Sequence, residues 1–445
     1  MKAKTEARRA PEVSARTKQG AEARDRDWSW VEAEVWTERM VSALVNGVKG
    51  GRWFSLIDKV FAPATLALAY EKVAAKGGAA GVDGQSLERF AARSETYLAE
   101  LSAALRDGSY RPQPVRRVNI PKSDGGLRPL GIPAVKDRIV QAAMKLVIEP
   151  IFEAEFLEGS YGFRPGRGCH EALREVDHLI KEGFTYVVDA DLANCFGSIP
   201  HGPLLHRVGK RISDGRILEL LRSWLDADGL ADMERWTPTA GTPQGAVISP
   251  LLANIYLHPL DERMTALGYR MVRYADDFVV LCRNREEAEP ALAEIRQWVE
   301  ANGLALHPDK TRLGDCRRPG EGFEFLGYRF EAGRRFIRKK SLNRFKDSIR
   351  ARTRRTRGSS LACIVAGLNP LLKGWFSYFK HAYHTEFTSL DGFIRRRLRA
   401  ILRKQDKRPG FGLCQRDSRR WPNAFFAQAG LFALHTAWQA ARHPR

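Results

Sequence analysis

Cysteine is scarce and scattered in this chain. The six in 445 residues (Cys169, Cys195, Cys282, Cys316, Cys363 and Cys414) form no Cys-x-x-Cys pair, and no histidine spacing completes a ligand set. This argues against a zinc site and a disulfide framework, and fits a reducing compartment. No apolar run approaches the ~20 residues that a membrane span needs. The first residues lack the apolar stretch of a secretory signal, and 1–27 reads as a disordered basic tail. Acid is missing at one end only. From 334 to 445 there are 27 Lys/Arg against 5 Asp/Glu, whereas the first 333 residues hold 46 and 47. The formal charge of +21 is therefore a property of the C-terminal quarter, and it suggests a polyanionic partner. With 44% hydrophobic residues the chain is globular and long enough for two or three domains.

Apolar spacing predicts a helical N-terminal extension over 28–74 and a helix over 87–105, with the loop Gly81-Val-Asp-Gly84 between them. Residues 115–133 read as a hairpin turning at 123–126, and a helical pattern follows from Val135 to about Phe152. Phe184 to Asp191 alternates with period two and reads as a strand that ends in acid. A helical run over 251–267 leads into the hairpin Tyr269–Tyr274 and Phe278–Cys282, and a helix over 286–302 follows. Strand, helix, hairpin and helix in this order suit a sheet covered by helices on one face. The composition shifts near 331–340: Arg334 to Arg357 carries 12 basic residues and Asp347 as its sole acid, and helices continue over 361–383 and 387–404.

What stands out chemically is Tyr274-Ala-Asp-Asp277, two adjacent carboxylates at a hairpin tip beside an apolar run. Adjacent anions repel, so a cation, first of all a divalent metal, would offset the cost. The plain reading is a turn. Asp191 at the exit of its strand reads either as a helix cap or as a third carboxylate. Three such groups suit two-metal nucleotidyl transfer. Phe196, five residues beyond Asp191, reads as a core ring or as one crowding a sugar 2′ position. The aromatics Trp375, Phe376, Tyr378 and Phe379 read first as helix core and second as base-stacking rings, whereas the cations around them favour RNA.

Asp191-Leu-Ala-Asn-Cys-Phe196, Thr242-Pro-Gln-Gly-Ala-Val-Ile-Ser-Pro250, Tyr274-Ala-Asp-Asp277 and Phe325-Leu-Gly-Tyr328 stand in the order and approximate spacing of reverse transcriptases. Arg116 to Lys122, Arg128 to Pro133, Tyr161 to Arg167, Leu372 to Phe379 and Pro422 to Phe426 extend the likeness. From about 35 to 435 the chain resembles the group II intron-encoded reverse transcriptase/maturase of bacterial type. The resemblance implies Asp191, Asp276 and Asp277 as catalytic metal ligands, joined by the backbone carbonyl of Leu192. It implies Arg116, Lys122, Phe196, Gln244, Gly245 and Lys310 at the dNTP. Arg116 and Lys122 also read as charges guarding a sheet edge, and Lys310 as a solvated helix end. Arg164 and Arg167 are expected to track template RNA, and Arg350, Arg352, Arg354 and Arg355 to bind RNA.

The expectation is thus an α+β right-hand polymerase, with fingers and palm over 75–333, an α-helical thumb/maturase domain over 334–410 and a nucleic-acid-contacting segment over 411–445. It would extend a DNA primer with dNTPs on an RNA template using two Mg²⁺ ions, with Mn²⁺ able to substitute, and bind its intron RNA to assist splicing and retrohoming. Competing readings are an RNA-binding splicing cofactor with an idle polymerase site, and a host-adopted relative in repair or phage defence. The Cys and His pairs of an HNH endonuclease are missing, so a separate primer source is expected. The expected location is cytoplasmic, in a ribonucleoprotein or at the nucleoid, with no membrane; the oligomeric state stays open, a dimer included.

Overall fold

The computed structural model describes residues 27–121, 126–227, 229–231, 234–236, 241–242, 245–356, 358–410 and 414–442. Lys122 and Gln244, both expected at the nucleotide, lie outside these, as do the turn residues 123–125 and most of the tail at 1–27. The strands in chain order are β1 (Val115–Pro121), β2 (Leu127–Ile132), β3 (Tyr186–Asp191), β4 (Gly229–Ala231), β5 (Glu234–Trp236), β6 (Arg270–Tyr274), β7 (Asp277–Cys282), β8 (Arg312–Asp315), β9 (Phe323–Phe325), β10 (Tyr328–Glu331) and β11 (Arg334–Ile337). The chain divides into two compact units: 1–168 with 192–267 and 295–305, and 169–191 with 268–294 and 306–445.

The first unit is built on the helix Val135–Glu153, whose residues are buried almost all round. Such a helix needs cover on every side. The helices Pro63–Lys76 and Ser249–Ala266 pack on it, and Trp36 donates its indole N–H to the Leu146 carbonyl at 3.0 Å. One carboxylate ties the lead-in to this body. Asp214 caps the helix Gly215–Leu225 through Oδ1 and accepts from the Leu56 and Ile57 amides through Oδ2, at 2.7 and 3.0 Å. The expected helix over 87–105 is two, Leu87–Ala91 and Ser94–Asp107, broken at Arg93, whose backbone is non-helical. The unit's sheet has the order β2-β1-β4-β5, with β1 and β2 antiparallel as the hairpin pattern predicts.

Arg164 departs from its expected role. Its side chain is 1% exposed, and its Nε and Nη2 both donate to Glu153, which is itself buried. Its remaining N–H groups donate to the carbonyls of Leu157, Ser160 and Phe156. A guanidinium consumed in this way has nothing left for a phosphate, so Arg164 is a buried strut and not an RNA contact.

In the second unit β3 is central, in a sheet of order β6-β7-β3-β8, and its neighbours β7 and β8 are both antiparallel to it. Phe278 to Cys282 are buried throughout, and the helix Cys169–Lys181 covers β6 and β7. A second sheet, β11-β10-β9, leads to the helices Lys339–Arg352, Leu361–Phe379 and His384–Gln405. Aromatics fill the space among them. Trp375 stacks on Phe345 at 3.9 Å, Phe376 meets Phe387 at 5.5 Å, and Tyr378 donates its hydroxyl to the Leu326 carbonyl at 2.7 Å. The aromatics of 375–379 are thus helix core, the first of the two roles their sequence allows.

Replacing Arg164 by Ala takes the guanidinium away from the buried Glu153 carboxylate, and is expected to destabilise the first unit by about 3 kcal/mol. Urea unfolding checks this, and an unchanged midpoint would remove the strut from the fold's support.

Candidate active site

The hairpin tip is made by a register. Tyr274 pairs with Asp277 across the turn, so Ala275 and Asp276 form its two-residue loop, and Ala275 takes a left-handed backbone at φ 60°. Below it sits Arg273, fully buried, whose guanidinium donates to the Ala275 carbonyl at 3.0 Å. In sequence Arg273 looks like one more alternating strand residue. In the structure it holds the loop that carries the acids, an internal hydrogen bond that a charged donor strengthens.

The β3 to β7 ladder sets Asp191 directly opposite Asp277. Asp189 faces Val279 two steps further in and pairs with Arg312 at 3.3 Å. Burial pushes Asp277 up to about 7, and the negative charges of Asp189, Asp191 and Asp276 push the same way, against Arg338. Burial also raises Asp189 to about 6, with Arg312 opposing. Asp277 therefore ionises against both its burial and its three acidic neighbours, the condition that a bound cation relieves. Their donors are hard oxygens, which suit magnesium or manganese and not a thiophilic metal. Among the described residues no three such side chains already converge as a finished metal cage.

Lys310 lies in this group. Its ammonium donates to Asp191 Oδ2 at 2.5 Å, and the His307 amide donates to the Asp191 carbonyl at 2.8 Å, so the His307-Pro-Asp-Lys310 turn hangs on the strand end. Lys310 stays more than half exposed, able to swing from carboxylate to another anion.

The other residues expected at the nucleotide belong to the first unit. Phe196 is half-buried in the short helix Cys195–Ser198, and its carbonyl accepts from the Thr242 amide at 2.6 Å. Gly241 lies so close to Gly197 that a Cβ there would meet its backbone at 2.8 Å. Gly245 has φ 113°, and a Cβ on it would come within 2.5 Å of the Gly131 carbonyl in β2. Only glycine allows that approach. The structure thus joins Phe196 to Thr242, and Gly245 to β2. It also forms a cleft of about 760 Å³ whose wall includes Lys72, Lys76, Leu130, Gly131, Gly245 and Val247; its lysines had no motif to announce them. Among the described residues, the buried Nε–H of Arg116 on β1 has no hydrogen-bond partner. Leu192 is buried beside Asp191 in sequence.

The remaining arginines divide. Arg167 is tied to Glu158 by its side chain and carbonyl. Arg350 pairs with Asp347, Arg352 is exposed and reaches the Ser348 carbonyl at 3.3 Å, and Arg354 is exposed. Arg355 instead donates to the carbonyls of Ala400 and Gly410 at 3.2 and 3.0 Å, an internal tie that removes it from the expected RNA surface.

The raised Asp277 has a stability consequence. Between about pH 4 and 7 the folded chain binds more protons than the unfolded one, so stability falls as pH rises through this window. In chelator, Asp277→Asn is therefore expected to leave the midpoint unchanged near pH 4 and to stabilise the chain at pH 8, by on the order of 2 kcal/mol. Thermal melts at the two pH values check it, and equal effects at both would contradict the burial of that charge.

Residues 120–330 match the reverse transcriptase (RNA-dependent DNA polymerase) family, and residues 342–421 match the group II intron maturase-specific domain. Protein YkfC of Escherichia coli is 38% identical over 301 residues, covering 59% of this chain and 76% of that protein. The group II intron-encoded protein LtrA of Lactococcus lactis is 36% identical over 228 residues, covering 49% of this chain and 37% of LtrA. A chain of a partial Cas6-RT-Cas1–Cas2 complex has 25% identity and a TM-score of 0.36, over 55% of this chain and 41% of that one. Reverse transcriptases are RNA-directed DNA polymerases that bind an RNA template and use divalent metal ions. With its polymerase and maturase regions in sequence, this chain belongs to the group II intron reverse transcriptase/maturase family.

Proposed function

We propose that the protein extends a primer 3′-OH with deoxynucleotides on an RNA template, and binds a group II intron RNA through its C-terminal quarter to assist splicing. The observation that carries the first part is the register opposing Asp191 to Asp277, with Asp276 one residue away at the hairpin tip. These three carboxylates and the Leu192 carbonyl would hold two Mg²⁺ ions. Bound there, such ions supply Lewis-acid stabilisation of the charge that builds on the reacting phosphoryl group and on the attacking and leaving oxygens.

The chain's own groups do the positioning. Arg116 offers an unpaired buried N–H to a triphosphate, Lys122 precedes the turn of the same hairpin in sequence, and Lys310 is a mobile point charge for phosphate. Phe196 is the ring proposed to exclude a ribose 2′-OH, and Gln244 and Gly245 are proposed to contact the nucleotide. The scattered free cysteines favour work in a reducing cytoplasm, in a ribonucleoprotein. Among the described residues no helix is long and apolar enough to cross a membrane.

Primer extension on poly(rA)/oligo(dT) tests the polymerase reading. Asp276→Ala is expected to lower Mg²⁺-dependent synthesis at least about a hundredfold. Absence of synthesis by the unaltered chain would sink the reading and leave an RNA-binding cofactor.

RNA binding is tested separately. Neutralising Arg350, Arg352 and Arg354 together is expected to weaken RNA binding and to lower the slope of log affinity against log salt by about two. Arg355→Gln should cost stability instead. An unaltered slope in the triple variant would move the RNA surface elsewhere.

A further inference from the structure

Outside the acids and the thumb arginines, the second unit carries a row of rings that neither role uses. Tyr383 and His384, at the start of the helix His384–Gln405, are 4.5 Å apart between ring centroids. His384 is 5.5 Å from Trp438 on the helix Leu434–Arg442, and Trp438 stacks on His435 at 6.0 Å with planes 21° apart. Two of these rings carry a cation. Arg334 lies 4.5 Å over the Tyr383 ring, and Arg442 lies 4.7 Å over the Trp438 ring. All four rings are half-exposed and both arginines are exposed.

Two features distinguish this row from ordinary packing. First, its backbone is fixed from below: the buried Asp391 accepts from the Leu434 and His435 amides at 3.0 and 3.1 Å, and so holds the start of the second helix against the first. Rings set by such a cap lose little freedom when a ligand arrives. Second, the surrounding sequence is the part of the chain with 27 basic and 5 acidic residues, which favours a polyanion over a protein segment. A guanidinium stacked on a ring still directs its N–H groups outward in the ring plane, where phosphate can take them. Half-covered rings offer π-faces to unpaired bases, whereas paired bases have their faces already occupied.

We infer that the Tyr383–His384–Trp438–His435 row is a stacking track for single-stranded nucleic acid, with Arg334 beside Tyr383 and Arg442 beside Trp438 holding the backbone. The track reads base faces and not base edges, so it tolerates sequence. It deepens the reading of the C-terminal quarter as the part that binds nucleic acid and rests on no step of the polymerase reading, and its test uses neither metal nor nucleotide.

The test is fluorescence anisotropy of the full chain in chelator, with short labelled oligoadenylates, one deoxy and one ribo, and an abasic strand of equal length and charge. Trp438→Ala is expected to weaken the adenine strands about tenfold, the effect of losing one stacked base, and to leave the abasic strand unchanged. Trp438→Phe should restore most of the loss. A loss confined to the deoxy or the ribo strand would assign the track to DNA or RNA. Unchanged adenine affinity, or an equal loss on the abasic strand, would overturn the proposal. Because Trp438→Ala could unseat its helix, the unaltered chain is also cross-linked to strands carrying thio-substituted bases. Adducts on 383–384 or 434–442 are expected, and adducts confined to other segments would also overturn it.

Discussion

The structure depends on one pairing register, that between β3 and β7. In an antiparallel pair a slip of one residue turns every side chain to the other face. Here the register is fixed by the apolar residues Val187, Val188 and Ala190 against Phe278 to Leu281, all buried. Hydrophobic burial thereby does electrostatic work. It brings Asp191 and Asp277 to one end of the ladder at a spacing that their charges alone would resist. The buried Arg273 adds the second restraint, by fastening the loop that carries Asp276. The acids are strained in charge but not free to relax, and a divalent cation is the simplest partner for that condition.

The same logic explains why the acid cluster reaches further than the three carboxylates proposed to hold metal. Asp189 points into the same electrostatic neighbourhood, and its own partner Arg312 comes from β8, the strand on the other side of β3. Arg338, which opposes the rise of Asp277, begins the helix Lys339–Arg352. Charge balance at the hairpin is thus distributed over three elements outside the hairpin itself.

Much of this was legible in the sequence, because it rests on local pattern. The alternation of 186–191, the twin acids between two apolar strands, and the glycine of the 242–250 block each announce their backbone. The helix Val135–Glu153 was legible too, from its spacing. What was not legible depends on burial at a distance. Arg164 sits in a Pro/Gly-rich loop, the usual setting of an exposed arginine, and only the fold reveals Glu153 below it. Arg355 stands in a basic run with Arg350, Arg352 and Arg354, yet its fork is spent on carbonyls more than forty residues away. Composition assigns a charge to a region; it does not say which member of the run faces inward.

Asp214 carries a consequence for how the first unit holds together. A carboxylate has two oxygens, and here each serves a different segment: one the start of Gly215–Leu225, the other the amides at 56 and 57. The lead-in and the body therefore share a single anion as common property, and neither can fray without leaving that anion half-solvated for the other. This is thermodynamic coupling across 158 residues of chain. It makes the N-terminal extension a cooperative part of its unit's melting and not an appendage that peels away first.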